Sequence, residues 1–453
     1  MSGLWRLAWR NLRRRPRRSL ATLASIGMGV GCAVIVFGYI MRLDRFLAVA
    51  SIYLLHIGHL VVHQADGSPL FSNGVDDHLL DSEARKTIDR LLGDDPNVAA
   101  FGGILKVKGL AGNGCATYPA WMIGVEPSLE RFIRSRPSLA ENAAELASLD
   151  AGRDLFAWPE LETGVMVARG LADLLKKSAV YRGEGSMPKP AFFVDCLGDE
   201  WKAKSAADPF IQLMAMDFSA ALAVGEGIMV GRMRTGFTEY EDGLLIGHLS
   251  NMQRMFGTTK VSAVAVFLRD TGHIEEKARD LEARLRSKGL HVRVSSWTAK
   301  ALSPVWEGLH QFLWILGTLI SLILAVIIGL SVANTAVINV LERTREFGMF
   351  RALGFRVGRL LSVVMGESLI LAVGGAILGL SGAFAFQWIL ELVDVRYSPP
   401  GVAVDVKLLI SPSLELCLIV VAGVILLSVG VTWFAVRRIL ARRIVELLSG
   451  NHF

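Results

Sequence analysis

The sequence is short of cysteine and of charged residues. Four cysteines occur in 453 residues, and no two of them have the Cys-x-x-Cys spacing of a zinc or redox site. Asp, Glu, Lys and Arg make up 20% and apolar residues 52%, whereas charged residues are about 25% of an average soluble domain. These shortages exclude a disulfide scaffold, a disordered chain and a coiled coil. They fit a chain that spends part of its length in lipid.

Catalytic signatures are also missing. The dipeptide Gly-Lys does not occur, so the sequence has no Walker A loop for a nucleotide phosphate. His56, His59 and His63 form the best metal candidate, but only Asp66 accompanies them as a further ligand. We therefore predict no catalytic residue, no metal site and no cofactor within this chain.

Four stretches, 19–41, 311–340, 360–390 and 416–436, are apolar and nearly free of charge, with only Glu367 inside them. Each reaches the roughly 20 residues that a helix needs to cross a bilayer core. Because every backbone group in hydrocarbon must be satisfied within its own segment, each stretch is expected to be helical. The predicted transmembrane helices are 19–41, 311–340, 360–390 and 413–436.

Arginines cluster before the first stretch, between the second and third, and after the fourth. Since Lys and Arg accumulate in short cytoplasmic segments, both termini are predicted to be cytoplasmic. The positive charge then reports topology and contact with anionic lipid, and no nucleic-acid partner is expected. The predicted segments between and beyond the helices are a basic segment 1–18, an outer domain 42–303, a cytoplasmic loop 341–359, a short outer loop 391–412 and a cytoplasmic tail 437–453.

The outer domain mixes strand and helix patterns. Ile104 to Leu110 and Val261 to Leu268 have the residue types of strands, and Thr271 to Lys288 has apolar residues at helical spacing before another strand at Leu290 to Ser296. The predicted fold is an α-helical membrane protein with four transmembrane helices plus a large α+β extracytoplasmic domain between helices 1 and 2. A stiff helical stalk and a flexible linker both remain open for its connection to the membrane.

Two pairs of glycines are spaced by four residues within the apolar stretches. Gly27 and Gly31 lie in the first, and Gly375 and Gly379 in the third. Glycines at this spacing let two membrane helices approach closely. We predict that all four are helix-packing residues.

The cysteines divide by location. Cys32 and Cys417 lie in apolar stretches, whereas Cys115 and Cys196 lie in the outer domain, where an oxidising compartment permits a disulfide. A bond between the latter two would close a long loop and contribute several kcal/mol of stability. We consider this bond possible, since the sequence does not reveal the distance between the two side chains.

The cytoplasmic loop contains a short amphipathic segment. If Glu342 to Phe355 is helical, Phe347, Phe350 and Leu353 are expected along one side, beside the charges of Arg345 and Glu346. Such a helix suits docking into a groove of a soluble partner. A helix that only rests on lipid headgroups is the alternative.

This loop, Glu-Arg-Thr-Arg-Glu-Phe-Gly-Met-Phe-Arg-Ala-Leu-Gly at 342–354, resembles the coupling helix of the FtsX/MacB-type permeases, the type VII ABC transporters. The resemblance extends over 315–448 and includes Glu367 before a glycine-rich stretch, and Trp9 to Leu12 resembles the family's amino-terminal motif. Weaker similarities lie at 122–127 and 167–172. Residues 445–448 (Val-Glu-Leu-Leu) depart from the family's usual tail.

The resemblance implies a division of labour. Members work in pairs, with an identical or paralogous second permease, and bind a cytosolic ATPase dimer that carries ATP and Mg. ATP-driven movement passes through the coupling helix to the outer domain, a process called mechanotransmission. The location implied is the bacterial inner membrane with a periplasmic outer domain. The residues carried over as ATPase contacts are Glu342, Arg343, Arg345, Glu346, Gly348, Arg351 and Gly354.

The cargo is less closely indicated. Gly58 to His63 and the segments 242–246 and 252–257 resemble the lipoprotein-releasing branch, which implies release of lipoprotein or lipid-linked cargo, with a possible periplasmic chaperone. Two alternatives remain. One is MacB-like efflux of small molecules or peptides with a periplasmic adaptor, and the other is FtsX-like signalling to a cell-wall hydrolase.

Overall fold

A computed structural model describes residues 16–66, 78–183, 196–197, 199–218 and 221–441. The similarity at Trp9 to Leu12, most of the basic segment 1–18 and the departure at 445–448 lie outside the described residues. The chain forms two compact units. We call the first, with residues 16–43, 310–395 and 407–441, the helical unit, and the second, with residues 44–309 and 396–406, the sheet unit.

Long helices dominate the helical unit, and short ones surround the sheet. In chain order the α-helices are α1 (Pro16–Val49), α2 (Ser82–Gly93), α3 (Pro127–Arg134), α4 (Pro137–Asn142), α5 (Ala144–Ala147), α6 (Arg169–Leu174), α7 (Glu200–Ala207), α8 (Thr238–Glu241), α9 (Leu249–Met255), α10 (Ile274–Ser287), α11 (Pro304–Glu342), α12 (Thr344–Ala352), α13 (Val357–Val393) and α14 (Leu414–Leu440). A π-helical turn, Ala50–Leu54, follows α1, and a 3₁₀ turn spans Leu155–Ala157.

The strands form one large sheet and one small one. They are β1 (Leu60–Gln64), β2 (Val98–Gly112), β3 (Thr117–Val125), β4 (Ala151–Gly152), β5 (Gly164–Ala168), β6 (Phe210–Met216), β7 (Leu222–Met233), β8 (Leu244–His248), β9 (Ala263–Leu268), β10 (Val292–Ser296), β11 (Arg396–Tyr397) and β12 (Val406–Lys407). The large sheet runs β10-β1-β9-β2-β3-β8-β5-β7-β4, with β6 paired to both β2 and β7, and β11 pairs with β12.

The predicted fold class is confirmed. Helices α1, α11, α13 and α14 are long and apolar enough to cross a membrane, and the sheet unit combines strands and helices. The helices extend beyond the apolar stretches: α11 begins at Pro304, where proline is favoured because its missing N–H would have no partner in the first turn. A buried apolar cluster that includes Ile26, Val30 and Ile328 packs the helical unit together.

The predicted strand–helix–strand order at the end of the sheet unit is present as β9, α10 and β10. The two strands are not neighbours, however, because β1 lies between them and pairs antiparallel with both. Helix α10 packs against β10 and buries Ala278, Leu281 and Leu285. The large sheet is continuous over the described residues, and its strands share one buried apolar cluster with the helices that pack on them.

Candidate coupling surface

Helix α12 is a short helix that lies between two long ones. Only Arg343 separates it from α11, and the hydroxyl of Thr344 donates hydrogen bonds to the carbonyls of Val340 and Leu341, at 3.1 and 2.6 Å, which fixes this tight turn. Its inner face is buried: Phe347 joins an apolar cluster with residues of α11, α13 and α14. Helix α12 is therefore packed against the helical unit along one side.

The opposite side of α12 is exposed. We call Arg345, Glu346, Met349, Phe350 and Leu353 the coupling surface, since all five side chains are exposed. Leu353 is 71% and Met349 54% exposed. Three apolar side chains thus lie next to one positive and one negative charge, a combination that suits a protein groove.

Arg343 points inward. Its Nη1 donates to Oε1 of Glu367 at 3.1 Å, and its Nε donates to Oε2 of Glu346 at 2.9 Å. The guanidinium also lies 5.1 Å from the ring centroid of Phe347, within cation–π range. Arg343 therefore links α12 to the buried carboxylate of α13.

Arg351 joins α12 to α14. Its Nη1 donates to the carbonyl of Leu440 at 3.2 Å, and Leu440 is the last residue of α14. The last carbonyls of a helix lack partners within the helix, and an arginine there satisfies one of them and complements the helix dipole. This contact lies within the chain.

Gly354 closes α12. Its φ of +90° lies in the left-handed region that favours glycine. The N–H of Phe355 donates to the carbonyl of Phe350, and the N–H of Gly354 donates to the carbonyl of Arg351, at 3.0 Å each. The rings of Phe350 and Phe355 meet at 5.5 Å. These bonds and this apolar contact form a complete Schellman motif.

The structure divides the seven predicted contact residues into two groups. Glu342, Arg345 and Glu346 are exposed. The other four also have defined positions within the chain, and their contact with an ATPase stays a prediction: Arg343 in an ion pair, Gly348 on the buried face, Arg351 against α14 and the exposed Gly354 at the helix end.

The prediction that Phe347, Phe350 and Leu353 lie along one side of α12 is wrong. Phe347 is 2% exposed, whereas Phe350 and Leu353 face outward. Leu353 lies six positions after Phe347, which at 3.6 residues per turn places the two side chains about 120° apart around the helix. Leu353 therefore belongs to a different face from Phe347, and Phe350, which is 37% exposed, lies between them.

The four predicted packing glycines meet one another. Gly27 and Gly31 of α1 face Gly375 and Gly379 of α13: a Cβ built on Gly379 would lie 2.4 Å from the carbonyl oxygen of Gly27 and 2.9 Å from the nitrogen of Gly31. Any side chain at Gly379 would thus collide with backbone. The sequence does not reveal that the two glycine pairs are partners.

Sequence reasoning missed the pairing of Glu367 with Arg343. The signal was present, because an ionisable residue inside an apolar stretch requires a partner or a polar cavity. Its partner comes from the adjacent loop, 24 residues earlier. Spacing along the sequence does not identify that arginine among its neighbours.

In the sheet unit, Cys115 and Cys196 form a disulfide, with their Cα atoms 5.5 Å apart. The bond joins the turn between β2 and β3 to the segment before α7. Lys177 and Asp208 make a buried ion pair of 2.8 Å in the same region. A covalent bond therefore holds residue 196 to the turn between β2 and β3, and an ion pair holds residue 177 to residue 208.

The three histidines have separate partners. His56 Nε2 lies 2.5 Å from Oε2 of Glu130, His59 Nδ1 accepts the N–H of Leu268, and His63 contacts the hydroxyl of Ser295. Within residues 16–66, 78–183, 196–197, 199–218 and 221–441, no group of three metal-ligating side chains occurs. Their proximity in sequence does not bring the three rings to one site.

Glu130 is the centre of a buried ionic cluster. Burial acts to raise the pKa of Glu130, but the charges and hydrogen bonds of His56 and Arg134 outweigh it and lower the pKa to about 2. Nearby, Lys106 donates to the carbonyl of Leu55 at 3.0 Å, and burial lowers the pKa of Lys106 to about 7. These contacts fix the chain just after the π-helical turn.

Comparison with known proteins gives related membrane proteins. A family model described as FtsX-like permease C-terminal matches residues 318–444. The lipoprotein-releasing system transmembrane protein LolC of Xylella fastidiosa (strain 9a5c) is 24% identical over 212 residues, 45% of this chain and 50% of that protein. The macrolide export ATP-binding/permease protein MacB of Bdellovibrio bacteriovorus is 26% identical over 174 residues, 37% of this chain and 27% of that protein.

The matches cover only part of each relative. The chain spans about half the length of the LolC proteins it matches and about a quarter of that MacB. Among solved structures, the periplasmic region of MacB from Actinobacillus actinomycetemcomitans aligns with a TM-score of 0.31 at 11% identity, over 52% of this chain and 87% of that one. The extracellular domain of YknZ from Gram-positive bacteria aligns with a TM-score of 0.30 at 11% identity, over 52% and 99%.

Proposed function

We propose that this chain, which belongs to the FtsX-like permeases of the type VII ABC transporters, couples ATP hydrolysis to work on a cargo outside the inner membrane. In this proposal the helical unit spans the membrane and the sheet unit lies in the periplasm. Both termini and α12 face the cytoplasm. The chain supplies no catalytic residue, and ATP and Mg bind to a partner ATPase.

The observation that carries this proposal is the coupling surface. Helix α12 exposes Met349, Phe350 and Leu353 beside Arg345 and Glu346, outside the apolar stretches that would be covered by lipid. An amphipathic helix docks into a groove through apolar anchors at such spacing. Arg345 and Glu346 would add charge-assisted hydrogen bonds and set the register. The groove belongs to a cytosolic ATPase dimer.

The packing of α12 provides a route by which movement would pass from the ATPase to the membrane helices. Because its inner face contacts α11, α13 and α14, a push on the coupling surface would reach the membrane helices directly. The sheet unit would then move with them, which is mechanotransmission. A second permease, identical or paralogous, completes the assembly.

For the cargo, we propose lipoprotein or lipid-linked molecules extracted from the membrane. The LolC similarity supports this proposal, as does the stretch Gly58 to His63, which includes the first four residues of β1. Efflux of small molecules or peptides through a periplasmic adaptor is the second candidate, supported by the MacB similarity. A periplasmic chaperone would accompany the first and an adaptor the second.

The test for the coupling surface compares two leucines of equal exposure. Leu353 lies on the coupling surface and Leu222 in the sheet unit, and each is 71% exposed. The full chain is purified from its native membrane with its bound ATPase. We expect Leu353→Ala to lower the yield of co-purified ATPase at least tenfold and Leu222→Ala to leave it unchanged, with equal thermal unfolding temperatures.

Equal ATPase recovery with both variants would overturn the assignment of the coupling surface. The cargo is tested separately, by identifying what else co-purifies and by ATP-driven release from proteoliposomes. Release of an acylated protein supports lipoprotein extraction. A bound adaptor favours efflux, and a bound cell-wall hydrolase would replace both with signalling.

A further inference from the structure

We propose that Arg343 and Glu367 form an ionic joint that makes α12 move together with α13 and α14. Both are positioning residues: they hold the coupling helix, while the coupling surface contacts the ATPase. This inference rests on the proposed function, because it concerns how a displacement of α12 would reach the membrane helices. The observations that carry it are the burial of the pair and the polar contacts that continue from it.

The joint is a chain of hydrogen bonds through three side chains, those of Glu346, Arg343 and Glu367. Arg343 donates to Glu367 at 3.1 Å and to Glu346 at 2.9 Å, and so links the coupling surface to the interior of α13. The Glu367 side chain is 7% and that of Arg343 21% exposed. A guanidinium has several donors in a fixed plane and can hold two carboxylates at once. Separating this pair would leave a buried charge without its partner, so the pair resists separation.

The contact continues from α13 to α14. Ser368 follows Glu367 directly, and its hydroxyl donates to the carbonyl of Ser428 at 3.3 Å. The hydroxyl of Thr432 lies 2.8 Å from that of Ser368. All three side chains are buried. Residues 367 and 368 therefore bond to the coupling helix on one side and to α14 on the other.

A second contact holds the far end of α12. Arg351 bonds to the carbonyl of Leu440, the last residue of α14. Helix α12 is thus held near its start to α13 and near its end to α14. Two separated contacts prevent the helix from pivoting about either one.

The polar layer around Glu367 extends to the remaining long helices. The hydroxyls of Thr22 in α1 and Thr335 in α11 lie 2.7 Å apart. They line, together with Asn339, Glu367 and Ser368, a cavity of about 20 Å³, which is large enough for one water molecule. Each of the four long helices therefore contributes a polar side chain at the level of the joint.

A pair that only stabilised the fold would have the same static contacts. A transmitting pair and a purely stabilising pair differ in how their loss changes the response of the helices to ATP. If the joint transmits movement, weakening it lets the ATPase displace α12 without displacing α13. If it only stabilises, weakening it lowers the unfolding temperature and leaves the relative motion of the two helices unchanged.

The experiment uses the full chain with its co-purified ATPase in lipid nanodiscs. Spin labels on Ala352→Cys in α12 and Leu378→Cys in α13 report their separation, in a background with Cys32→Ala and Cys417→Ala. Glu367→Gln removes the charge at nearly constant volume. Glu391→Gln, at an exposed position of the same helix, is the matched control. Distances are measured without nucleotide and with ATP and Mg, and hydrolysis is measured in parallel.

We expect the label separation to be independent of ATP in the unmodified chain and in Glu391→Gln. In Glu367→Gln we expect a shift or broadening of the distances with ATP and Mg, while the ATPase stays bound and hydrolysis continues. Arg343→Lys keeps the positive charge but lacks the planar set of donors that holds two carboxylates at once. It should show a smaller shift of the same kind with ATP and Mg, and it decides the question if Glu367→Gln fails to fold.

Distances in Glu367→Gln that do not respond to ATP, with the ATPase bound and active, would overturn the joint and leave the proposed function intact. Failure of the unmodified chain to bind any ATPase would overturn the proposed function, and the joint with it.

Discussion

The helical unit and the sheet unit differ in how much apolar side-chain surface they leave exposed. The sheet unit buries it, and Val264 and Val266 of β9 have no exposed area. The helical unit leaves Leu330 67% and Leu426 72% exposed along its apolar helices, where hydrocarbon would cover them. Exposure of a leucine therefore has meaning only relative to the solvent around it. Leu353 is equally exposed but lies in a charged loop, and for this reason we propose that a protein partner covers it.

The two units also differ in what holds them together. The sheet unit contains a disulfide as well as buried ion pairs such as that of His56 with Glu130, whereas ion pairing as such also occurs in the helical unit, between Arg343 and Glu367. In the helical unit, helices α1 and α13 meet through glycine backbones, as is usual where lipid removes the hydrophobic drive for helix association. The predictions below test whether each unit depends on its own kind of contact.

The largest effect is expected at Glu130. Replacing it with Ala leaves His56 and the largely buried Arg134 without their shared carboxylate. Breaking a buried ion pair in this way typically costs about 3–5 kcal/mol. We expect the free energy of unfolding of the sheet unit to fall by that amount in chemical denaturation. Glu276→Ala, at an exposed position of α10, is the control and should have little effect.

The same cluster makes the stability of the sheet unit depend on pH in the acid range. The pKa of Glu130 is lowered from 4.5 to about 2 in the folded chain, so its stabilisation is complete above pH 4.5 and is lost as the pH falls toward 2. Glu130→Ala should lack this part of the acid dependence. A variant that keeps the full acid transition would show that other carboxylates cause it.

Next in size is the disulfide. Cys115 and Cys196 are 81 residues apart, and losing a native disulfide typically costs about 2–5 kcal/mol. We expect Cys115→Ser with Cys196→Ser to destabilise the sheet unit and leave the α1–α13 contact intact. Thiol titration of the denatured, unreduced chain should find two free cysteines, and four would contradict the bond.

A smaller effect is expected for close packing in the helical unit. Gly379→Val would place a side chain against the backbone of Gly27 and Gly31, whereas Gly382 in the same helix has open space around it. Overpacking typically costs about 1–3 kcal/mol. We expect Gly379→Val to lower the thermal unfolding temperature in detergent and Gly382→Val to leave it nearly unchanged. Equal effects would mean that the glycines are not packed as described.

The smallest effect is expected at Gly354. An alanine in the left-handed conformation costs about 1–2 kcal/mol, and at this position it would fray the end of α12 without disturbing its buried face. We therefore expect Gly354→Ala to weaken ATPase binding more than it lowers the unfolding temperature. Gly358→Ala, in open space near the start of α13, is the matched comparison. Identical ATPase binding by both variants would argue against a need for the Schellman motif.

Local patterns in the sequence predicted the helices and several strands, because hydrophobic length and periodicity decide them. The long-range pairings were not predictable: nothing near β1 indicates that it separates β9 from β10. The pairing of Glu367 with Arg343 was not predictable for the same reason, since it depends on how the chain turns back at α12. The role of Gly354, by contrast, was predictable from the sequence, because a glycine just after a helical pattern is the usual sign of a helix end. The family resemblance predicted an ATPase contact for it instead.

The position of β1 has a consequence for synthesis of the chain. Leu60 pairs with Val266 and with Ser296, so this strand leaves the ribosome long before either neighbour exists. Both of its edges stay without partners during that time, and unpaired strand edges promote aggregation. Closure of the sheet has to wait for β10, immediately before the second long helix is made. A nascent chain that stops before residue 292 would retain an open edge, and its survival would depend on chaperones rather than on its own fold.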